Sequence, residues 1–432
     1  MIYLVAIVTE CLLLVLTFFR TNSATDCITL AAAHTICFVL YGIASYSKKL
    51  KQTPLWLILG FALLFRVTLV FQPVLASDDI YRYMWDGNTS THGINPYLYT
   101  PNDSTLTALH SPILPAKVNV PYLKSVYPPF AQVVFTVSYS IFGESQTGIK
   151  SILLLFDCAT LFVLLSILRY KNIPLQSITL WAWNPLVYFV TELDGHIEII
   201  AIFFFVCLLY CIVCNYWRLG SIALGLAALV KPQPIGILAP LSLVLFKQKQ
   251  YKMSLVFIAG TLAIFIGGYA LYWEPTWSIT SAFITMSKRW YYNNPPFDIA
   301  HLFLTNESAH TVTSILLALW VAVFSMRKNT AINHTYMYVL GILLLSPMVQ
   351  PWYLLWALVF ITFRWSPAIF LYSFTIIVCY KTVFQWQAYH VWQQQWWELC
   401  IEYIPVYLLL LIEWLAPQWL HQYIPPVLQS KT

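Results

Sequence analysis

The stretch Ser151-Ile152-Leu153-Leu154-Leu155-Phe156-Asp157-Cys158-Ala159-Thr160-Leu161-Phe162-Val163-Leu164-Leu165-Ser166-Ile167-Leu168 carries a single charge, Asp157, in an otherwise apolar run. About 20 residues of this kind form a helix long enough to cross the hydrocarbon of a bilayer. Comparable runs lie at 2–19, 27–46, 53–75, 128–143, 174–191, 197–216, 220–246, 253–273, 313–326, 335–349, 352–363, 367–384 and 399–417. Together they predict an all-α, polytopic transmembrane protein with about 11 to 14 membrane segments, some short or broken by proline.

Composition supports this reading. Of 432 residues 59% are hydrophobic and 9% charged, whereas a soluble domain is about a quarter charged. Too few charges exist to coat soluble domains, which excludes that class. The net charge of +6 is spread thinly between apolar runs, so no nucleic-acid partner is expected. The cysteines number nine, an odd count, and most sit inside apolar runs as small hydrophobes rather than as a disulfide framework. Met1 to Phe19 carries Glu10 and lacks a basic leader region and a small-residue cleavage site. It reads as a retained first span. No repeat, charge run or linker divides the chain, so 1–432 is read as one membrane domain.

The basic residues orient it. Lys48, Lys49 and Lys51, then Lys247, Lys249 and Lys252, then Arg327 with Lys328, and Arg364 mark turns. With the N-terminus in the cytoplasm, alternating spans put all of these on the cytoplasmic side, as the positive-inside bias requires. The loops 76–126, 274–312 and 385–398 then lie outside. Asp, Asn, Trp and Tyr collect there.

The first of these loops opens Ser77-Asp78-Asp79-Ile80-Tyr81-Arg82-Tyr83-Met84-Trp85-Asp86-Gly87. If 78–87 is helical, Asp79, Arg82, Tyr83 and Asp86 share one face, Gly87 ends the helix, and Tyr81, Met84 and Trp85 lie on the membrane interface. Helical ion pairs from Arg82 to Asp79 and Asp86 are the plain structural reading, but such pairs contribute only ~0.2–0.5 kcal/mol. The chemical reading is a general base at the water–lipid boundary beside an arginine able to bind an anion.

The same string, with Gly93-Ile94-Asn95-Pro96-Tyr97, resembles the first-loop motif of GT-C superfamily glycosyltransferases. It is most similar to bacterial polyprenol-phosphate-mannose-dependent mannosyltransferases and, more distantly, to GPI mannosyltransferase I. The likeness continues through Val126-Tyr127-Pro128-Pro129-Phe130, Trp183-Asn184-Pro185-Leu186, Gly195-His196, Lys231-Pro232 and Ser346-Pro347…Pro351-Trp352-Tyr353. One departure is His196-Ile197-Glu198, where relatives more often have His-x-Asp.

The resemblance implies a hexosyltransferase, with mannose the expected sugar, that works on the extracytoplasmic side of a bacterial inner membrane. Its partners would be a polyprenyl-phosphate sugar donor, a glycan, glycolipid or protein acceptor, and the bilayer. No cofactor or metal is expected. Such a reaction needs a base for the acceptor hydroxyl and a cation for the leaving phosphate. Asp79 is the expected base because it shares a face with Arg82 and Tyr83. Asp78 comes second, as acceptor positioner or helix cap. On a helix the adjacent carboxylates of Asp78 and Asp79 point in different directions and do not easily supply the pair about 5 Å apart that a retaining mechanism uses, which favours inversion. Arg82, Tyr83, Lys231 and Arg289 are donor or phosphate candidates; a lysine at membrane depth such as Lys231 is costly and defaults to function. Asp86, Tyr127, His196, Trp290, Asn293 and Tyr353 are possible substrate contacts. Arg66 and Asp157 read as a structural pair. Counting every run as a full span puts Glu192 to Glu198 in the cytoplasm, away from Asp79, unless the segment broken at Pro185 is a half-span. A transporter or lipid-linked-sugar flippase is the competing class; it would show internal repeats and charges at the bilayer midplane rather than in a long outer loop.

Overall fold

A computed structural model describes residues 1–16, 23–274, 278–420 and 423–429. The end of the expected first span, 17–19, and residues 275–277 of the second long loop lie outside the described residues. Among the described residues the fold is all-α, and five helices are long and apolar enough to cross a membrane. Shorter apolar helices such as Leu55–Val70 and Glu198–Val213 complete the bundle.

Contacts between distant residues sort the passages into two ends. At one end Lys51 donates to the Gln429 carbonyl (3.0 Å), Gln176 to the Thr53 carbonyl (3.3 Å) and Lys247 to the Ser325 carbonyl (2.8 Å). This is the basic end. At the other, helices α1 (Ile2–Leu16), α2 (Ser23–Ser45) and α3 (Leu55–Val70) lead into α4 (Asp79–Thr91), which packs on α5 (Pro129–Phe142).

Helix α5 does not cross. At its start the Phe130 amide donates to the Leu229 carbonyl (3.0 Å). Just past its far end Gln146 bonds the Val74 amide (3.2 Å) and the Tyr81 hydroxyl (2.9 Å). Both ends therefore lie at the α4 end of the bundle. Its apolarity has another cause: one face packs on α4, with Phe135 stacked on Tyr83 at 4.7 Å, and Val133, Val137 and Ile141 stand exposed on another.

Two sequence expectations about α4 change, each because another segment packs on the helix. Gly87 is not a stop, since the helix runs on to Thr91. A Cβ there would sit 2.5 Å from the Phe135 carbonyl oxygen, so the glycine serves the close approach of α5. Met84 and Trp85 are not at a lipid interface either. They are buried with Leu106, Leu114 and Val118, because the loop 92–128 folds back over them.

From α6 (Gln146–Tyr170) the chain returns to the α4 end through a broken passage: a turn at 175–178, α7 (Thr179–Ala182), α8 (Pro185–Tyr188) and a π-turn, Phe189–Leu193. Pro185 lacks the amide hydrogen a continuous helix would use there, and Asn184 caps α8 by accepting from the Leu186 amide (3.0 Å). Helix α9 (Glu198–Val213) then runs away from the α4 end and α10 (Trp217–Ala228) returns to it. The turn 233–237 with α11 (Leu238–Lys247) goes back to the basic end. The run 220–246 is thus two passages folded at Lys231-Pro232, not one.

The remaining helices, α12 (Tyr251–Ala270), α13 (Ser278–Arg289), α14 (Pro295–His301), α15 (Asn306–Met326), α16 (Ala331–Leu345), α17 (Leu355–Ile361), α18 (Pro367–Thr375), α19 (Tyr380–Tyr389) and α20 (Trp396–Leu415), close the bundle. Deep inside it Arg66 meets Asp157 at 2.6 Å and Glu192 at 4.0 Å. Arg66 also donates to the Ala62 and Ala182 carbonyls, and Trp181 to Asp157. The charges expected to pair do so, which ties α3 to α6 and to the broken passage.

Candidate active site

Asp79 begins α4, and Asp78 occupies the cap position without its side chain capping. The cap contact comes from Ser77, whose hydroxyl accepts from the Asp79 amide (3.3 Å). Asn119, from the loop that covers α4, bridges the two acids by donating from one amide nitrogen to Asp78 Oδ1 (2.9 Å) and Asp79 Oδ1 (2.7 Å). The carboxylates converge there rather than point apart as expected, because Asp78 is the non-helical cap residue. The other oxygen of Asp79 faces His196 Nδ1 at 3.6 Å, and the Asp79 side chain remains 22% exposed. Burial and the neighbouring Asp79 charge push the Asp78 carboxyl up to about 6, against the Asn119 hydrogen bond.

The turn 194–197 brings His196 to Asp79. Asp194 accepts the amides of Leu75 (3.2 Å) and Ala76 (2.8 Å), just ahead of Asp78, and the Tyr380 hydroxyl (3.2 Å). Lys150 donates to the carbonyls of Leu69, Gln72 and Leu193. Gly195 takes a positive φ of 74°, and a Cβ there would approach Ile80 Cδ1 to 2.9 Å. Only a residue without a side chain lets this turn lie against α4. His196 stacks on Trp352, ring centroids 3.4 Å apart. Burial, with the Lys231 charge, holds its imidazole well below the usual histidine range, so it is neutral at pH 7.

The counting scheme that sent Glu192 to Glu198 to the opposite end is therefore corrected. Two mistakes in it cancel: 128–143 does not cross and 220–246 crosses twice. The basic turns keep their side, while the segment between those two runs changes ends and joins Asp79.

Lys231 sits at the fold of the α10–α11 hairpin. Its ammonium lies 2.7 Å from Glu198 Oε1 and 5.3 Å over the Tyr127 ring, and its side chain is 14% exposed. The pair stands at one end of a mainly apolar cleft that runs past Ile237, Tyr338, Leu343, Tyr353 and Trp356. Tyr353 lines the cleft with Glu198 and Lys231, and Tyr127 lies under the Lys231 ammonium. Asp79, His196, Glu198, Lys231, Tyr127 and Tyr353 thus form one cluster drawn from widely separated parts of the sequence. Among the described residues no group of acids, cysteines and histidines could hold a metal.

Other expected site residues lie elsewhere. Arg82 does not face Asp79: it is buried, bonded to Asp86 (2.9 Å) and to the Leu123 carbonyl (2.9 Å). Asp86 is held further by Ser125 and Gln132, so this pair braces α4 against the loop and α5. Tyr83 is buried between Tyr127 and Phe135. Asn293 is also buried, bonded to Glu402 (2.8 Å), Gln394 (2.7 Å) and Tyr403 (2.6 Å). Arg289 and Trp290, at the end of α13, are exposed.

The sequence reading missed Asn119 and left the role of Asp194 open. Both act across 40 or more positions, and neither carries a local signal.

A family model described as alpha-(1->6)-mannopyranosyltransferase, N-terminal domain, matches residues 4–247. A second, described as MptB C-terminal domain, matches 307–411. No curated protein matches the chain. With the first match alone spanning more than half the sequence, the chain belongs to the alpha-(1->6)-mannopyranosyltransferase family of GT-C membrane mannosyltransferases.

Proposed function

We propose that this mannosyltransferase takes its sugar from a polyprenyl-phosphate donor and passes it to an acceptor hydroxyl on the extracytoplasmic face, with inversion. The observation that carries the reading is the partly exposed Asp79 carboxylate, held by Asn119 and facing His196 at 3.6 Å, at a site where the Lys231 ammonium stands on a mainly apolar cleft. The gathering of basic turns at the opposite end supports the sidedness.

In this mechanism the acceptor oxygen attacks the anomeric carbon in line. Its proton goes to Asp79, and the electron pair of the sugar–phosphate bond leaves on the phosphate. Base catalysis of this type contributes about 10²–10⁴-fold. Neutral His196 stands 3.6 Å from the second oxygen of Asp79 without adding a competing positive charge, and Trp352 stacks on its ring. Lys231 is better placed than Arg82 for the phosphate, because the Arg82 guanidinium is committed to Asp86 and Leu123. A β-linked donor inverted once gives an α-mannoside, in agreement with the product written in the family description.

The test is transfer by the purified chain in lipid nanodiscs, with synthetic polyprenyl-phosphate mannose offered beside a nucleotide-linked mannose. Turnover with the lipid donor, abolished in Asp79→Asn, is expected. Turnover with the nucleotide donor alone, or undiminished turnover by Asp79→Asn, would overturn the reading.

A further inference from the structure

A single displacement with Asp79 as base gives Glu198 nothing to do, yet this carboxylate holds the cation best placed for the donor. A carboxylate paired with Lys231 at 2.7 Å weakens its attraction for any other anion. That arrangement is costly for a binding site but useful for a catalyst. The donor is a phosphodiester with one negative charge; once the sugar–phosphate bond breaks, its electron pair leaves a phosphate monoester that can carry two.

We propose that Glu198 is a positioning residue that holds Lys231 back from the donor phosphodiester and yields it to the phosphate monoester formed as the sugar departs. The geometry separates a fixed partner from a mobile one. Glu198 lies in the first turn of α9 and is fully buried, where the helix terminus favours an anion. Lys231 follows the last turn of α10, its ammonium at the end of a flexible four-carbon stem that lies at the cleft. The ammonium carries three donors and can reach from Glu198 toward a phosphate without leaving the Tyr127 face. The lysine moves and the glutamate stays. Because the surroundings are largely apolar, the exchange is stronger than it would be in water. An interaction that grows as the leaving group gains charge accelerates the chemical step, whereas one already complete in the bound donor does not.

This inference rests on the lipid-phosphate reading above, and its test separates the two. The probes are polyprenyl monophosphate and its methyl diester, which have the charge types of leaving group and donor. Binding of each is measured at pH 8 to the full chain in nanodiscs. Wild type should favour the monoester strongly. Glu198→Gln should bind the diester on the order of tenfold tighter and narrow the monoester-to-diester ratio, while KM for the donor and kcat fall together. Lys231→Met should lose the preference, and adding Glu198→Gln to it should change nothing further. An unchanged ratio in Glu198→Gln, or weaker binding of both probes, overturns the proposal. If Glu198→Gln does not fold, Glu198→Asp, with its carboxylate drawn back by one methylene, should narrow the ratio less, and an unaltered ratio there is equally fatal. Asp79→Asn should retain the wild-type ratio without turnover. If it turns over while the ratios behave as stated, the base assignment falls and the switch stands.

Discussion

Two of the charge clusters within this apolar bundle, those around Arg66 and Asp79, are built differently. Around Arg66 the contacts are short, at 2.6 Å to Asp157, backbone carbonyls take further donors, and neither side chain of the pair has any exposure. Around Asp79 the nearest histidine stands at 3.6 Å, the carboxylate is partly exposed, and Lys231 lies on a cleft. A closed cluster can only hold helices together. An open one has room for another molecule to complete it.

The contrast is sharpest if each cluster is damaged in turn. Asp79→Asn should lower turnover by about 10²–10⁴-fold with little change in thermal midpoint, since the amide can still accept from Asn119; a large drop in midpoint would make Asp79 a structural residue like Asp157. Asp157→Asn should do the reverse. Depriving buried Arg66 of its partner costs about 3–5 kcal/mol, seen as poor yield and a lowered midpoint in detergent. Full stability would mean that Glu192 alone suffices for Arg66.

Smaller effects follow from the bridge between the two acids. Asn119→Ala leaves Asp78 and Asp79 without their shared donor, which is expected to cost turnover roughly tenfold, in line with about 1–1.5 kcal/mol for a hydrogen bond, with the acceptor KM rising. An unaffected rate would show that His196 positions Asp79 alone. The smallest effect concerns pH. The Asp78 carboxyl is raised to about 6 in the fold, so the folded protein holds that proton more tightly than the unfolded chain. Its contribution to stability is complete below about pH 4 and is lost as pH rises through 6. Asp78→Asn should flatten the midpoint between pH 4 and 7; an unchanged pH dependence would remove Asp78 from account.

Much of this was legible in the chain. Lys231 stood out because a lysine between apolar half-segments demands a reason, and Asp78-Asp79 because adjacent acids end a span. The direction of Arg82 was not legible. Helical spacing allowed it either Asp79 or Asp86, and the choice was made by Leu123, 41 positions away. Nor could apolar length distinguish α5, which lies across one end, from a helix that crosses. Its greasy face is shared between α4 and the surroundings, so the composition looks the same. Asn119 belongs to a loop whose fold is set by burying Met84 and Trp85, a tertiary event with no periodic trace.

The α5 helix lying across the bundle end has a practical consequence for anyone mapping this protein. Reporters fused at Lys51 or Lys247 would give the same answer whether α5 pierces the bilayer or rests on its surface, since the hairpin at Pro232 restores parity. Tags inserted between α5 and that hairpin, at 143–145, 171–173, beside Gly195 or at 214–216, distinguish the two threadings, and a survey confined to Lys51 and Lys247 would not decide between them.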